Sequence, residues 1–80
     1  MRTFIIRFDD ERSRASFRDS VAHDRGLRDV DFHFAEFLPD VIASRVGERE
    51  LTQLRRIAGA RARFIEDFQN DPFSQGQARI

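Results

Sequence analysis

The stretch at residues 3–8, TFIIRF, predicts a β-strand because its side chains sort into two different faces. In an extended chain, successive side chains point to opposite sides. One side is wholly apolar and is formed by Phe4, Ile6 and Phe8. The other side is mixed and is formed by Thr3, Ile5 and Arg7. We therefore expect a strand that has one fully apolar face.

Beyond this strand, the spacing of the apolar residues changes repeatedly between the period of a helix and that of a strand. Asp9 and Asp10 end the first strand and offer an N-cap to the next element. Gly26 is expected to stop the helix that follows. The predicted strands are residues 3–8, 29–35, 41–46 and 61–68, and the predicted helices are residues 11–25 and 48–58.

The order of these elements, β-α-β-β-α-β, predicts an α+β domain with the ferredoxin-like arrangement. Both β-α-β crossovers are right-handed by default, which gives a four-stranded antiparallel sheet with the two helices on one face. We assign residues 1–68 to a single domain and residues 69–80 to a flexible C-terminal tail. Since no further element covers the second face of the sheet, we expect the function to lie there.

The composition narrows the class of protein. A chain of 80 residues has room for one domain, and nine Phe residues without any Cys indicate a core stabilised by packing alone. Fourteen basic and fourteen acidic residues cancel, which argues against binding to nucleic acid. No apolar run is long enough to span a membrane. The N-terminus does not resemble a signal peptide, so a chain that naturally starts at Met1 is expected in the cytoplasm.

The residues that catalysis or metal binding requires are sparse in this sequence. His23 is expected as a cation near the end of the first helix, and His33 as an exposed residue on the open sheet face. No spacing typical of a zinc, calcium or phosphate site occurs. A helix cap explains Asp9 and Asp10 better than a cation site does. We therefore expect no enzyme, no catalytic residue, no metal and no cofactor.

Several stretches resemble subtilisin propeptides and the related stand-alone inhibitors of subtilisin-like proteases. In chain order they are FIIRFDD, FRDSVAHDRG, DVIASRVGERELTQLRRIAG and ARFIEDF, within residues 3–68. The matching positions are Phe4, Ile5, Ile6, Phe8, His23, Gly26, Ile42, Ala43, Val46, Leu51, Leu54, Ala62, Phe64, Ile65 and Glu66. The chain departs from the family pattern at Asp40-Val41, where the family has Asn-Gly, in a longer connection after Gly59, and in a longer tail.

The resemblance implies an inhibitor, or an intramolecular-chaperone-like binder, of a subtilisin-like serine protease. In that family the open sheet face and the end of the last strand pack on two surface helices of the enzyme. A Glu at the position of Glu66 then faces the N-termini of those helices. The segment that follows enters the substrate cleft in extended form. The contact residues implied in this region are Glu66, Asp67, Phe68, Gln69, Asn70, Asp71, Pro72 and Phe73.

On the sheet itself, the expected partner contacts are His33, Val41 and Ala43. In the third predicted strand, one face is formed by Ile42, Ser44 and Val46.

The alternative is a ferredoxin-like interaction module of another kind, since this fold hosts many unrelated functions. An example is a small phage or bacterial protein that inhibits a large enzyme complex by surface contact. Its contacts would be the charged residues of the open face, which are Arg7, Asp31, His33 and Arg45. Under both interpretations the partner is a protein. The chain itself is expected to be a monomer or a weak dimer formed through its strand edges.

Overall fold

A computed structural model describes residues 1–67, which form one four-stranded antiparallel sheet and two helices. The strands are β1 (Arg2–Phe8), β2 (Asp31–Phe34), β3 (Asp40–Val46) and β4 (Ala62–Glu66). The helices are α1 (Glu11–Ala22) and α2 (Glu48–Ala58), and short 3-10 turns follow them at Arg25–Leu27 and Gly59–Arg61. This order confirms the predicted β-α-β-β-α-β fold, whose layout is ferredoxin-like.

The two central strands of the sheet are β1 and β3, because the order across it is β2-β3-β1-β4. Every neighbouring pair of strands is antiparallel. Ile5 of β1 lies opposite Ile42 of β3 on one side and opposite Ile65 of β4 on the other. The alternation of β1 therefore sets which residues of its neighbours face the core and which face away from it.

The core lies between the sheet and the two helices. The ring of Phe17 in α1 lies 5.0 Å from that of Phe8 and 5.9 Å from that of Phe32, separations that aromatic pairs favour. Burial of one fully enclosed side chain such as Leu54 contributes about 2 kcal/mol. The buried apolar residues are Phe4, Ile6, Phe8, Phe17, Val21, Leu27, Val30, Val41, Ala43, Val46, Leu51, Leu54 and Ala58. Since both helices contribute, both pack on the same face of the sheet, as predicted.

Helix α1 begins where the sequence predicts and ends earlier. The carboxylate of Asp10 accepts a hydrogen bond from the backbone N–H of Ser13 at 2.7 Å, which confirms the predicted N-cap. The predicted stop at Gly26 is wrong, because α1 already ends at Ala22. The side chain of Asp24 accepts the N–H of Gly26 at 2.9 Å, and this local bond favours a 3-10 turn over a further turn of α-helix.

Helix α2 has the predicted bounds. At its start, the side chain of Glu50 accepts the backbone N–H of Gly47 at 3.1 Å, and the N–H of Leu51 donates to the carbonyl of Gly47 at 2.9 Å. At its end, Gly59 has a φ of 65° and a ψ of −154°. This backbone conformation is open almost exclusively to glycine. The helix therefore stops at the position that the sequence marks with a glycine.

Two of the predicted strands are longer than the observed ones. Strand β2 begins at Asp31 rather than at residue 29, because the N–H of Val30 is bonded to the carbonyl of Leu27 in the preceding turn at 3.0 Å. Strand β4 ends at Glu66 rather than at residue 68. The predicted last residue of that strand, Phe68, lies outside the described residues.

Strand β3 carries a β-bulge that the sequence analysis missed. Its pairing with β1 shifts between Phe4, which lies opposite Ala43, and Arg2, which lies opposite Val46. A move of two residues along β1 therefore corresponds to a move of three residues along β3. The extra residue is accommodated near Arg45, whose φ is 63°. The simple alternation of residues 42, 44 and 46 fails here, because Val46 returns to the core beyond the bulge.

The register of β3 against β1 shows that two of the expected partner contacts are wrong. Val41 and Ala43 lie opposite Ile6 and Phe4, whose side chains face the helices, and both are completely buried. The expectation that Val41 and Ala43 lie on the open face is wrong. In their place Ile42 faces outward, opposite Ile5.

Candidate functional site: the open sheet face

Among the described residues, the sheet face opposite the helices is left uncovered. Because each cross-strand pair lies on the same face, the register arranges this face in rows across the sheet. The central row is His33, Ile42, Ile5 and Ile65. Towards the C-terminal end of β1, the next row is Asp40, Arg7 and Arg63. Towards the N-terminal end of β1, the row contains Asp31, Ser44, Thr3 and Asp67.

The centre of the open face is apolar. Ile5 and Ile42 are half-buried by their neighbours, and Ile65 on the edge strand is 42% exposed. Directly opposed residues in an antiparallel pair have Cβ atoms about 5 Å apart, so the three side chains form a continuous strip. An apolar strip in the middle of a surface with charges at its rim is the usual organisation of a protein-binding site.

Two arginines lie side by side on one flank of this isoleucine strip. Arg7 is paired with Asp40, with 3.1 Å between Nε and Oδ1 and 3.1 Å between Nη2 and Oδ2. This hydrogen bonding raises the pKa of Arg7. On its other side Arg7 lies opposite Arg63. Like charges directly opposite each other destabilise a strand pair. Asp40 offsets the charge of Arg7 but not that of Arg63.

The edge strand β2 adds an ion pair and a histidine to the open face. Asp31 lies 3.6 Å from Arg45, measured from Oδ2 to Nη1, and both side chains are well exposed. Arg45 occupies the bulge, and a bulge re-aims the side chain that it carries. His33 is exposed opposite Ile42, which is the face that the sequence predicts for it. Arg7, Asp31, His33 and Arg45 therefore all lie on the open face, as expected.

Glu66 lies on the helix side of the sheet. Its Cα lies opposite that of Phe4, whose ring belongs to the core. Both oxygens of the Glu66 carboxylate accept hydrogen bonds from Arg2, at 2.9 Å from Nε and 2.8 Å from Nη2. Arg2 also donates to Glu48 in the first turn of α2, at 2.8 Å. The carboxylate that the resemblance assigns to a partner therefore ties β4 to β1 and, through Arg2, to α2.

Asp67 continues the pairing of β4 beyond its last residue. Its backbone N–H donates to the carbonyl of Thr3 at 2.8 Å. By the alternation that places Ile65 outward, the side chain of Asp67 belongs to the open face. Asp67 and His33 are thus brought to the same face, at opposite edges of the sheet.

The turn between β2 and β3 presents two apolar side chains that the sequence analysis overlooked. Phe37 is 92% exposed and Leu38 is 56% exposed. Their signal in the sequence is the run Phe37-Leu38-Pro39-Asp40, in which large apolar residues occupy a turn between two strands. Such residues have no core role in a two-layer fold, so the turn is a second apolar surface of the protein.

Arg14 of α1 holds the backbone of this turn in place. The Arg14 Nη1 group donates to three carbonyls at the base of the turn, those of Ala35, Leu38 at 3.2 Å and Asp40 at 3.3 Å. The Arg14 side chain is only 12% exposed, and it also pairs with Glu11 one turn earlier in the helix. The backbone of the turn is therefore fixed, although Phe37 at its tip touches little of the protein.

The remaining expected contact residues are Phe68, Gln69, Asn70, Asp71, Pro72 and Phe73, which lie outside the described residues. Within residues 1–67, no group of three acidic or histidine side chains is arranged to hold a metal ion. Neither helix in the same range has the length and apolar character needed to cross a bilayer. Comparisons of this chain with protein-family models, with curated proteins and with solved structures found no match.

Proposed function

We propose that this protein acts by binding another protein through its open sheet face, without catalysing a reaction. The observation that carries the proposal is the strip of Ile5, Ile42 and Ile65 across the centre of a sheet face that no described element covers. Burying such a strip against a partner removes apolar area from water at about 25 cal/mol per Å². The charges around it, above all those of Arg7 and Arg63, fix orientation and exclude wrong partners.

The partner that we propose is a subtilisin-like serine protease, which the protein inhibits. This narrower proposal is supported by the ordered sequence resemblance along residues 3–68. It is compatible with β4 being an edge strand, because the chain beyond Asp67 starts beside the open face. A segment that starts there has a direct path from the docked face into a substrate cleft, where an extended chain pairs with a strand edge of the enzyme.

The pairing of Glu66 with Arg2 changes what this mechanism requires. To face the helix N-termini of an enzyme, the Glu66 carboxylate must leave two hydrogen bonds within its own chain. Hydrogen bonds between charged groups are about twice as strong as neutral ones. The binding free energy that Glu66 gains from the partner is therefore reduced by the loss of its contact with Arg2. We expect Glu66 to contribute less to binding than the isoleucine strip.

The same observation favours a second candidate function, which is an interaction module that blocks a different large enzyme by surface contact. In that case Glu66 keeps its structural role, and the open face makes the contact without the segment after Asp67. The two candidates differ in their need for residues 69–80 and in the identity of the partner.

Inhibition of a purified subtilisin, followed with a chromogenic peptide, tests the protease proposal. The full chain is expected to inhibit at micromolar concentration. Ile65→Glu, which puts a charge in the strip, is expected to weaken inhibition by about tenfold or more, equal to about 1.4 kcal/mol. Phe37→Ser is the matched control, because it removes an exposed apolar side chain away from the sheet face.

Two further variants separate the candidate functions. Removal of residues 69–80 weakens inhibition if the partner is a protease whose cleft takes up this segment. Glu66→Gln has a smaller effect on inhibition than Ile65→Glu. A full chain that does not inhibit any subtilisin at micromolar concentration overturns the protease proposal. Binding of another enzyme that survives removal of residues 69–80 would support the second candidate.

A further inference from the structure

We infer that the open face also binds a second copy of this chain, so that two molecules pack face to face about a two-fold axis that runs along the isoleucine strip. The inference concerns the protein alone and does not depend on protease binding. Its basis is that the rows on either side of the strip are complementary to each other. A two-fold axis in this direction exchanges these two rows and leaves the strip in place.

In such a pair, each isoleucine of the strip meets its own counterpart. Ile5, Ile42 and Ile65 of one copy face the same residues of the other, and His33 faces His33 at one end of the axis. Two packed sheets interdigitate the side chains of their inner faces when the strand directions lie within about 30° of each other. The half-exposed Ile65 gains most from this contact.

The flanking residues of β4 provide charge complementarity. Arg63 and Asp67 lie on opposite sides of Ile65, each two residues or about 7 Å away. The two-fold axis therefore brings Arg63 of each copy against Asp67 of the other. On β1 and β3 the same operation brings Arg7 against Thr3 and Asp40 against Ser44. On these three strands it sets no two like charges against each other.

A two-fold axis along the strands is less favourable. It would exchange the two edges of the sheet, whose order is β2-β3-β1-β4, and so place Asp31 of β2 against Asp67 of the other copy. Two carboxylates in contact at an interface repel each other and lose their hydration. The axis along the strands also sets Arg7 against Asp40 of the other copy, but only the axis along the strip avoids a contact between carboxylates, so the charges favour the axis along the strip.

The size of the face predicts a weak and reversible dimer. Four strands spaced about 4.8 Å apart, with about five residues each at about 3.4 Å per residue, span roughly 300 Å² in projection. A stable interface buries about 800 Å² of accessible surface on each partner. Self-association through this face is thus expected only at high protein concentration. Self-association covers the surface that we propose for partner binding, so the monomer is the form that can bind a partner.

Sedimentation equilibrium of the full chain, from micromolar to millimolar concentration, tests the inference. We expect a reversible monomer–dimer equilibrium for the natural sequence and a monomer for Ile65→Glu. Arg63→Glu turns two attractive contacts per dimer into repulsive ones and is expected to weaken the dimer by about tenfold. The double variant Arg63→Glu/Asp67→Arg exchanges the charges and is expected to restore most of the affinity.

A contact between the two changed positions of one chain cannot explain such a recovery, because positions four residues apart in a strand are separated by about 14 Å. Circular dichroism of each variant shows whether it is folded, and Phe37→Ser is expected to dimerise like the natural sequence. The inference is overturned if the natural sequence stays monomeric throughout, or if Ile65→Glu dimerises as well. A dimer lost in Phe37→Ser also overturns it, because the turn would then form the interface. If Arg63→Glu weakens the dimer and the double variant does not recover it, the axis along the strip is wrong.

Discussion

Single residues with unusual environments decide where the elements of this protein begin and end. Asp10 stands out in the sequence as a helix cap, and Gly59 directly follows the predicted helix at residues 48–58; in the structure Asp10 caps α1 and Gly59 ends α2. Arg45 also has a positive φ, but arginine is common and carries no local signal for a bulge. Local chemistry could therefore predict the caps, whereas the bulge depends on the pairing of β3 with β1.

Gly59→Ala tests the backbone conformation that ends α2. A Cβ at this position meets no atom within 4 Å, so any cost arises from the φ of 65° and not from a clash. We expect the free energy of unfolding, measured by urea denaturation, to fall by about 1–3 kcal/mol. Gly26→Ala is the control, because Gly26 has no positive φ and its added Cβ approaches only the Asp24 carboxylate, at 3.2 Å. Equal losses in both variants would contradict this account of Gly59.

Asp10→Ala tests the cap of α1 through its pH dependence. Hydrogen bonds from the backbone and the side chain of Ser13 lower the pKa of Asp10 in the folded protein. A lowered pKa stabilises the fold above the ordinary Asp pKa of about 3.9, and this stabilisation is lost as the pH falls through the folded value. The difference in urea midpoint between the natural sequence and Asp10→Ala is therefore large at neutral pH and small in strong acid.

Asp10→Asn is the matched variant for this measurement. Asparagine is an equally good N-cap, but it does not titrate. It should stay close to the natural sequence at neutral pH and lose less of its own stability on acidification. A midpoint difference for Asp10→Ala that does not change with pH would show that the charge of Asp10 plays no part in the cap.

At the scale of elements, helix α2 could be predicted from the sequence and the faces of β3 could not. The apolar residues of α2 recur at helical spacing between two glycines, so its bounds follow from local signals alone. The inward residues of β3 change parity at the bulge, so Val41 and Ala43 face the core together with Val46. A one-residue insertion in a strand moves every side chain beyond it to the other face.

Arg14→Met tests whether α1 holds the turn between β2 and β3. The variant removes the charged donor to the carbonyls of Ala35, Leu38 and Asp40 and leaves these carbonyls without this partner. We expect a loss of about 1–3 kcal/mol in the free energy of unfolding. We also expect faster hydrogen exchange at the amide of Ala35, which is bonded to the carbonyl of Asp40 across the turn.

Arg18→Met is the control for this prediction. The Arg18 guanidinium lies 4.7 Å from the ring centre of Phe34, so the variant also removes a cation next to β2. It leaves the three bonds between Arg14 and the turn in place. If Arg18→Met accelerates the exchange of the Ala35 amide as much as Arg14→Met does, the hydrogen bonds from Arg14 are not what fixes the turn.

At the scale of the whole molecule, the fold and the uncovered face could be predicted because the order of elements leaves few arrangements. The order of four strands and two helices, together with right-handed crossovers, already places both helices on one side. The isoleucine strip could not be predicted, because it requires the register that sets Ile5 between Ile42 and Ile65. The role of Glu66 was also missed, since its partner Arg2 lies at the other end of the chain.

The binding surface that we propose for this protein is the isoleucine strip of the open face. Its most direct test is cross-saturation from a catalytically inactive, protonated subtilisin to the isoleucine methyl groups of the deuterated protein at a concentration where it is monomeric. Ile5, Ile42 and Ile65 are expected to lose intensity. Ile6 and Ile57, which lie on the helix side, are expected to keep it. Loss of intensity at Ile57 without loss at the strip would contradict the claim, and no transfer to any of these methyl groups would overturn a subtilisin as the partner.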